Sequence, residues 1–137
     1  LKTHRAPFLD LLGAELQSFQ SNPPLLVMQF MAKEEICHSN GTIVQGGFVT
    51  AMLDCPMAHL VIGLLDYKYN PMTLDITVNF LSAARPGKLV CSSRVIKLGN
   101  DFSFATSYDL VVMVHVKKFS SSGLHSNPLF CSTNSTY

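Results

Sequence analysis

The segment from Gly46 to Leu65 constrains this chain more than any other. Phe48, Val49, Met52, Leu53, Met57, Leu60, Val61, Leu64 and Leu65 recur so densely that no continuous polar face remains. A helix that is apolar nearly all round has to be enclosed. Phe48 to Leu65 has the length of a membrane span, but it contains Asp54, Pro56 and His59. A carboxylate in mid-span is strongly disfavoured, so the expected enclosure is protein and no membrane partner is foreseen. Two features inside the segment suggest chemistry. Gly46-Gly47 opens it, and the free N–H groups of a helix start favour developing negative charge. Asp54 sits about two turns further on, where an unpaired acid costs several kcal/mol unless it has a partner or a use. Together they suggest acyl transfer or hydrolysis. Pro56 removes one backbone donor, so a kink is expected around Asp54.

The flanking patterns indicate what encloses the helix. Arg5 to Phe19 places Phe8, Leu11, Leu12 and Leu16 on roughly one helical face, and Gln20-Ser21-Asn22-Pro23-Pro24 ends that run. From Leu25 towards Glu35 the residues alternate, with Leu26, Met28, Phe30 and Ala32 on one side of a strand. Cys37 to Thr42 is polar, and its Asn40-Gly41 pair suits a tight turn. After the helix, Thr73 to Leu81 alternates Leu74, Ile76, Val78 and Phe80 against Thr73, Asp75, Thr77 and Asn79. Strands at Leu89–Lys97 and from Phe102 follow, separated by turns at Ala84–Gly87 and Leu98–Asp101. The pattern predicts an α+β domain with a curled antiparallel sheet around a long central helix. Asp109 to Val116 is an apolar run without alternation, and Ser120 to Tyr137 has no period. The expected division is one domain over residues 1–118 and an atypical tail over 119–137. The tail reads either as disorder or as the product of a frameshift or truncation.

Composition narrows the partners. Of 137 residues, 47% are hydrophobic and only 14% charged, with a formal net charge of +1. That balance offers no basic stripe to nucleic acid. It is apolar for a monomer, so further surface is expected to be hidden in an oligomer. Cys37, Cys55, Cys91 and Cys131 show no paired spacing, and Leu1 to Arg5 does not read as a signal peptide. A cytoplasmic protein with reduced thiols is the expectation.

Each candidate residue also has a plainer reading. Asp54 could be a structural carboxylate at a kink, and the glycine pair could serve close packing alone. Gln45 could cap the helix. His38 reads as a loop residue and His59 as a satisfied core residue. Cys55 and His59 lack a third, orienting group, and no Cys/His spacing suits zinc, so no metal is expected.

Several stretches carry a resemblance. Pro7 to Glu15, Gly41-Thr42-Ile43-Val44-Gln45-Gly46-Gly47-Phe48, Ala51-Met52-Leu53-Asp54, Thr73 to Leu81 and Val95 to Gly99 resemble the hotdog-fold acyl-CoA thioesterases of the phenylacetate-degradation (PaaI) type. The resemblance covers about Pro7 to Ser107. It implies a hotdog fold and hydrolysis of an acyl-CoA substrate in a homodimer or homotetramer, without a cofactor. In that family a His or Gln precedes the glycine pair and the acid lies nine residues after it; Gln45 and Asp54 keep this spacing. The family's upstream Asn falls at Ser39 here, with Asn40 one step later. The implied roles are a carbonyl polarised by the Gly47 N–H, helped by Gln45 or Asn40, and a water activated by Asp54 of the other subunit. Gly46, Arg85, Lys97, Gly99 and Asn100 are the candidates for binding substrate, the charged and amide groups among them for coenzyme A phosphates. Spacing supports a two-chain site separately: Gly47 and Asp54 lie on the order of 10 Å apart along a helix. A non-catalytic acyl-CoA binding or sensing domain on the same fold is the alternative.

Overall fold

A 19-residue helix occupies the middle of the chain and of the molecule, and its burial organises everything else. The structure, a computed structural model, describes residues 5–99, 102–109 and 112–120. In chain order its elements are α1 (Pro7–Leu11), β1 (Glu15–Ser21), β2 (Pro24–Ala32), a single 3-10 turn (Glu34–Ile36), β3 (Cys37–His38), β4 (Ile43–Val44), α2 (Gly46–Leu64), β5 (Pro71–Phe80), β6 (Gly87–Leu98), β7 (Phe102–Asp109) and β8 (Val112–Ser120). Six strands form one antiparallel sheet in the order β1-β2-β6-β7-β8-β5, and β3 pairs separately with β4. The α+β class and the sheet around a long central helix therefore agree with the sequence pattern.

The core lies between α2 and one face of this sheet. Leu26, Met28, Phe30 and Ala32 of β2 are buried, as their alternation predicts, and they meet Met52, Leu53, Met57 and Leu60 of α2. Burying each of the Leu, Met and Phe side chains among them contributes about 1.5–3 kcal/mol. By length and mean hydropathy (1.5) α2 could cross a membrane, but its buried side chains belong to the same core as those of the sheet. Pro56 sits inside the helix without dividing it. The buried Ser93 hydroxyl of β6 lies 2.9 Å from the Pro56 carbonyl, tying the sheet to the helix at that point.

The N-terminal helix is much shorter than its pattern suggests. Leu12 still has helical backbone angles, but Gly13 enters the left-handed region at φ +58°. The Gly13 N–H donates to the Asp10 carbonyl and the Ala14 N–H to that of Leu9. This is a Schellman stop, in which a left-handed glycine satisfies the last carbonyls of the helix. The chain then leaves as β1, where Leu16, placed on the helical face by spacing, and Phe19, the expected end of the helix, are exposed strand residues. At the other end, β8 inserts between β7 and β5 and runs to Ser120, two residues beyond the expected domain end. The tail from 121 to 137 lies outside the described residues.

Gly13 also has no room for a side chain: a Cβ there would stand 2.8 Å from the Met31 Cβ and 3.1 Å from its backbone nitrogen. Left-handed backbone costs a non-glycine residue about 1–2 kcal/mol, and crowding adds to it. Gly13→Ala is therefore expected to lower stability by about 2 kcal/mol or more, read as a lower urea midpoint with an unchanged slope.

Candidate active site

The start of α2 is built by Gln45. Its backbone is extended, as an N-cap requires, and its N–H is fixed by the Ile36 carbonyl. The side-chain Oε1 then accepts hydrogen bonds from the Gly47 N–H at 2.7 Å and the Phe48 N–H at 3.3 Å. Two of the four N–H groups that a helix start leaves open are satisfied this way. The cap also fixes the amide: its oxygen must face the backbone donors, so its NH2 is the end left for other acceptors. The capping reading of Gln45 is the one the geometry displays. It has a consequence for Gly47, whose N–H is engaged by that cap. A Cβ on Gly47 would stand 2.8 Å from the same Oε1.

Asp54 lies seven residues along α2 and is half-buried, not enclosed. Its partner is Thr73, whose hydroxyl reaches Oδ1 at 2.9 Å and Oδ2 at 3.2 Å. Thr73 was expected on the polar side of its strand with Asp75, Thr77 and Asn79. Instead it is buried at 3% exposure, because the pairing of β5 with β8 shifts register between Thr73 and Asp75. The extra residue, Leu74, reverses the side-chain alternation and turns Thr73 towards α2, as a β-bulge does. Phe80, expected on the core side, is 53% exposed and leans on the helix start: a Cβ on Gly46 would stand 3.2 Å from its ring.

On α2, Gly47 and Asp54 share a face. Seven residues at 100° each leave them about 20° apart around the axis and on the order of 10 Å apart along it. Thr50, Ala51 and Ala58 lie on this face too, and none of the five is buried by its own chain. His59 points elsewhere, and its ring lies 2.7 Å from the Cys55 carbonyl, the satisfied role expected of it.

The remaining candidates separate. Asn40 is exposed in the β3–β4 hairpin, where Ser39, Asn40 and Gly41 all have positive φ. The Thr42 hydroxyl closes the hairpin on the Ser39 carbonyl at 2.7 Å, and nothing among the described residues draws Asn40 to Gln45 or Gly47. Arg85 is exposed and donates to the Thr42 carbonyl of this hairpin at 3.2 Å. Lys97 lies beyond a second bulge near the far end of β6, ten residues from Gly87. That is roughly 30 Å along a strand. Within one chain Arg85 and Lys97 therefore do not meet at the same phosphate. Gly99 follows at that far end, and Asn100 lies outside the described residues. Among the described residues no cluster of His, Cys, Asp and Glu could hold a metal ion.

An open cleft of about 190 Å³ adjoins the helix start, lined by Val44, Gly46, Val49, Phe80 and Ala84 with His38 at the side. Asp54 does not line it.

Residues 41–106 match the Thioesterase superfamily. These are β4, α2, β5, β6 and most of β7. The solved structures agree on the architecture. The chain carries the hotdog fold of that superfamily. A phenylacetic acid degradation-related protein from Ralstonia eutropha superposes with a TM-score of 0.79 at 24% identity, covering 84% of this chain and 91% of the other. A thioesterase family protein from Silicibacter pomeroyi gives 0.77 at 18%, over 86% and 91%. The PaaI protein of the Escherichia coli phenylacetic acid degradation operon gives 0.74 at 14%, over 86% of each chain. No curated protein matches the sequence. The resemblance to PaaI-type hotdog proteins thus holds in the fold, and the bulged β5, with Thr73 over α2, is part of this chain's version of it.

Gln45→Glu separates capping from donation in the hotdog domain. A carboxylate keeps the acceptor and suits the positive end of the helix, so thermal unfolding is expected to stay level or rise. Gln45→Ala removes the cap and is expected to cost about 1 kcal/mol.

Proposed function

We propose that the chain hydrolyses acyl-CoA thioesters at a site completed by a second copy of itself. The observation that carries this reading is the half-exposed face of α2 with Gly47 at one end and the Asp54–Thr73 pair at the other. One thioester cannot easily touch both on one helix, since they lie about 10 Å apart. An antiparallel pair of such helices would bring one copy's Asp54 opposite the other's Gly47, and the small side chains between them would allow close approach.

In this reading Asp54 takes a proton from water while the water oxygen bonds to the thioester carbon. The C–S bond then breaks, and the coenzyme A thiolate leaves with the proton returned from Asp54. Thr73 positions the carboxylate through the hydrogen bond described above. The developing oxyanion is held at the start of α2. Either the Gln45 NH2 reaches it directly, or the Gln45 oxygen swings aside and releases the Gly47 N–H. Asn40 enters only if its hairpin moves, and Arg85 and Lys97 would serve substrates from different ends of the sheet. The free thiol of Cys37 suits a reducing cytoplasm.

One observation favours a second reading. The Gly47 N–H is already occupied by Gln45, which suits a domain that binds acyl-CoA without turning it over.

Chromatographic measurement of free coenzyme A from an acyl-CoA panel separates the two. Turnover is expected in the wild-type chain and should fall about 10²–10⁴-fold in Asp54→Asn, the range for loss of a general base. Thr73→Val should lower kcat more than it raises KM, since the hydroxyl acts through the carboxylate. A folded dimer that binds acyl-CoA and releases no coenzyme A would establish the binder instead.

A further inference from the structure

We infer that the cleft beside the helix start is an acyl subsite and that Phe80 sets the size of group it accepts. This rests on the proposed thioesterase reading and deepens it. Ile43, Val44, Val49 and Ala84 give the cleft apolar walls, and among the described residues no carboxylate and no Lys or Arg lines it. His38 and Ser82 are its polar side chains; His38 is exposed, with its Nδ1 2.9 Å from the Ser39 hydroxyl. Such a lining suits a neutral apolar group and gives a charged one no partner.

Position ties the cleft to the chemistry. Gly46 is at once a wall of the cleft and the residue before the Gly47 N–H. A thioester whose carbonyl rests at the start of α2 would therefore hold its acyl group at the cleft. Volume limits that group. A cavity of about 150 Å³ holds one benzene, so about 190 Å³ takes one ring with a short linker, or a chain of comparable bulk. A long fatty acyl chain exceeds that volume and would have to run out of the open side of the cleft.

Phe80 is the adjustable wall. It ends β5 as an edge-strand residue, about half exposed, and its ring rests against Gly46 at the distance a methyl group there would contest. About half of the Phe80 side chain stays exposed even though its ring meets Gly46. As the lip of the cleft it closes the space that a longer chain would follow.

The test compares wild type with Phe80→Ala and Phe80→Trp in two assays. Hydrolysis of butanoyl, hexanoyl, phenylacetyl, decanoyl and palmitoyl coenzyme A gives kcat/KM for each. Calorimetry with S-hexyl and S-decyl coenzyme A thioethers, which cannot be hydrolysed, gives binding without turnover. Phe80→Ala is expected to raise the decanoyl-to-hexanoyl ratio of kcat/KM at least tenfold, with the S-decyl to S-hexyl affinity ratio moving the same way. Phe80→Trp should move both ratios in reverse. If no thioester is cleaved but the binding ratios still shift, the subsite stands and the hydrolase reading fails. Binding and hydrolysis ratios that stay fixed in both variants, with both still folded, would overturn the subsite.

Discussion

A helix with apolar residues on nearly every side has to be enclosed, and α2 is such a helix. A sheet of six strands encloses it here, and this single requirement decides much of the rest. It makes β2 alternate cleanly, because one face of that strand meets α2. It puts the buried Ser93 beneath the Pro56 carbonyl. It also leaves the face of α2 that holds Gly47 and Asp54 incompletely covered. The proposed chemistry occupies the gap in the enclosure.

The same helix shows how a polar group can be kept beside a hydrophobic core. Asp54 is supported by a hydroxyl from another element, and the helix start is closed by an amide from the residue just before it. Each contact contributes about 1 kcal/mol to folding, so neither dominates stability. Their larger effect is orientational. Thr73 restricts where the carboxylate can point, and Gln45 restricts which end of its amide faces outward.

Much of this was legible in the sequence, and the exceptions have physical causes. The extent of α2 and the inward face of β2 could be read because periodicity against one buried surface is a local signal. Residues Leu11, Leu12 and Leu16 fitted a helix too, but Gly13 could adopt left-handed backbone and close the helix early. Thr73 could not be found as the partner of Asp54, since its direction depends on how β5 pairs with β8 about forty residues later. Arg85 and Lys97 both precede or follow turns, yet a turn's composition does not say which end of the sheet it occupies. Gln45 was recognisable in type and spacing, whereas its hold on the Gly47 N–H is a matter of side-chain conformation.

The extra residue in β5 makes the direction of Thr73 a question of parity. From Ile76 onward the inward positions of that strand are even-numbered, and before Leu74 they are odd-numbered. A chain one residue shorter at this point would restore a single count along the whole strand. Thr73 would then turn outward with no change in its own identity, and Asp54 would lose its hydroxyl partner. Two chains of this fold can thus share every site residue and still differ in whether the acid is held, through one insertion that touches no ligand.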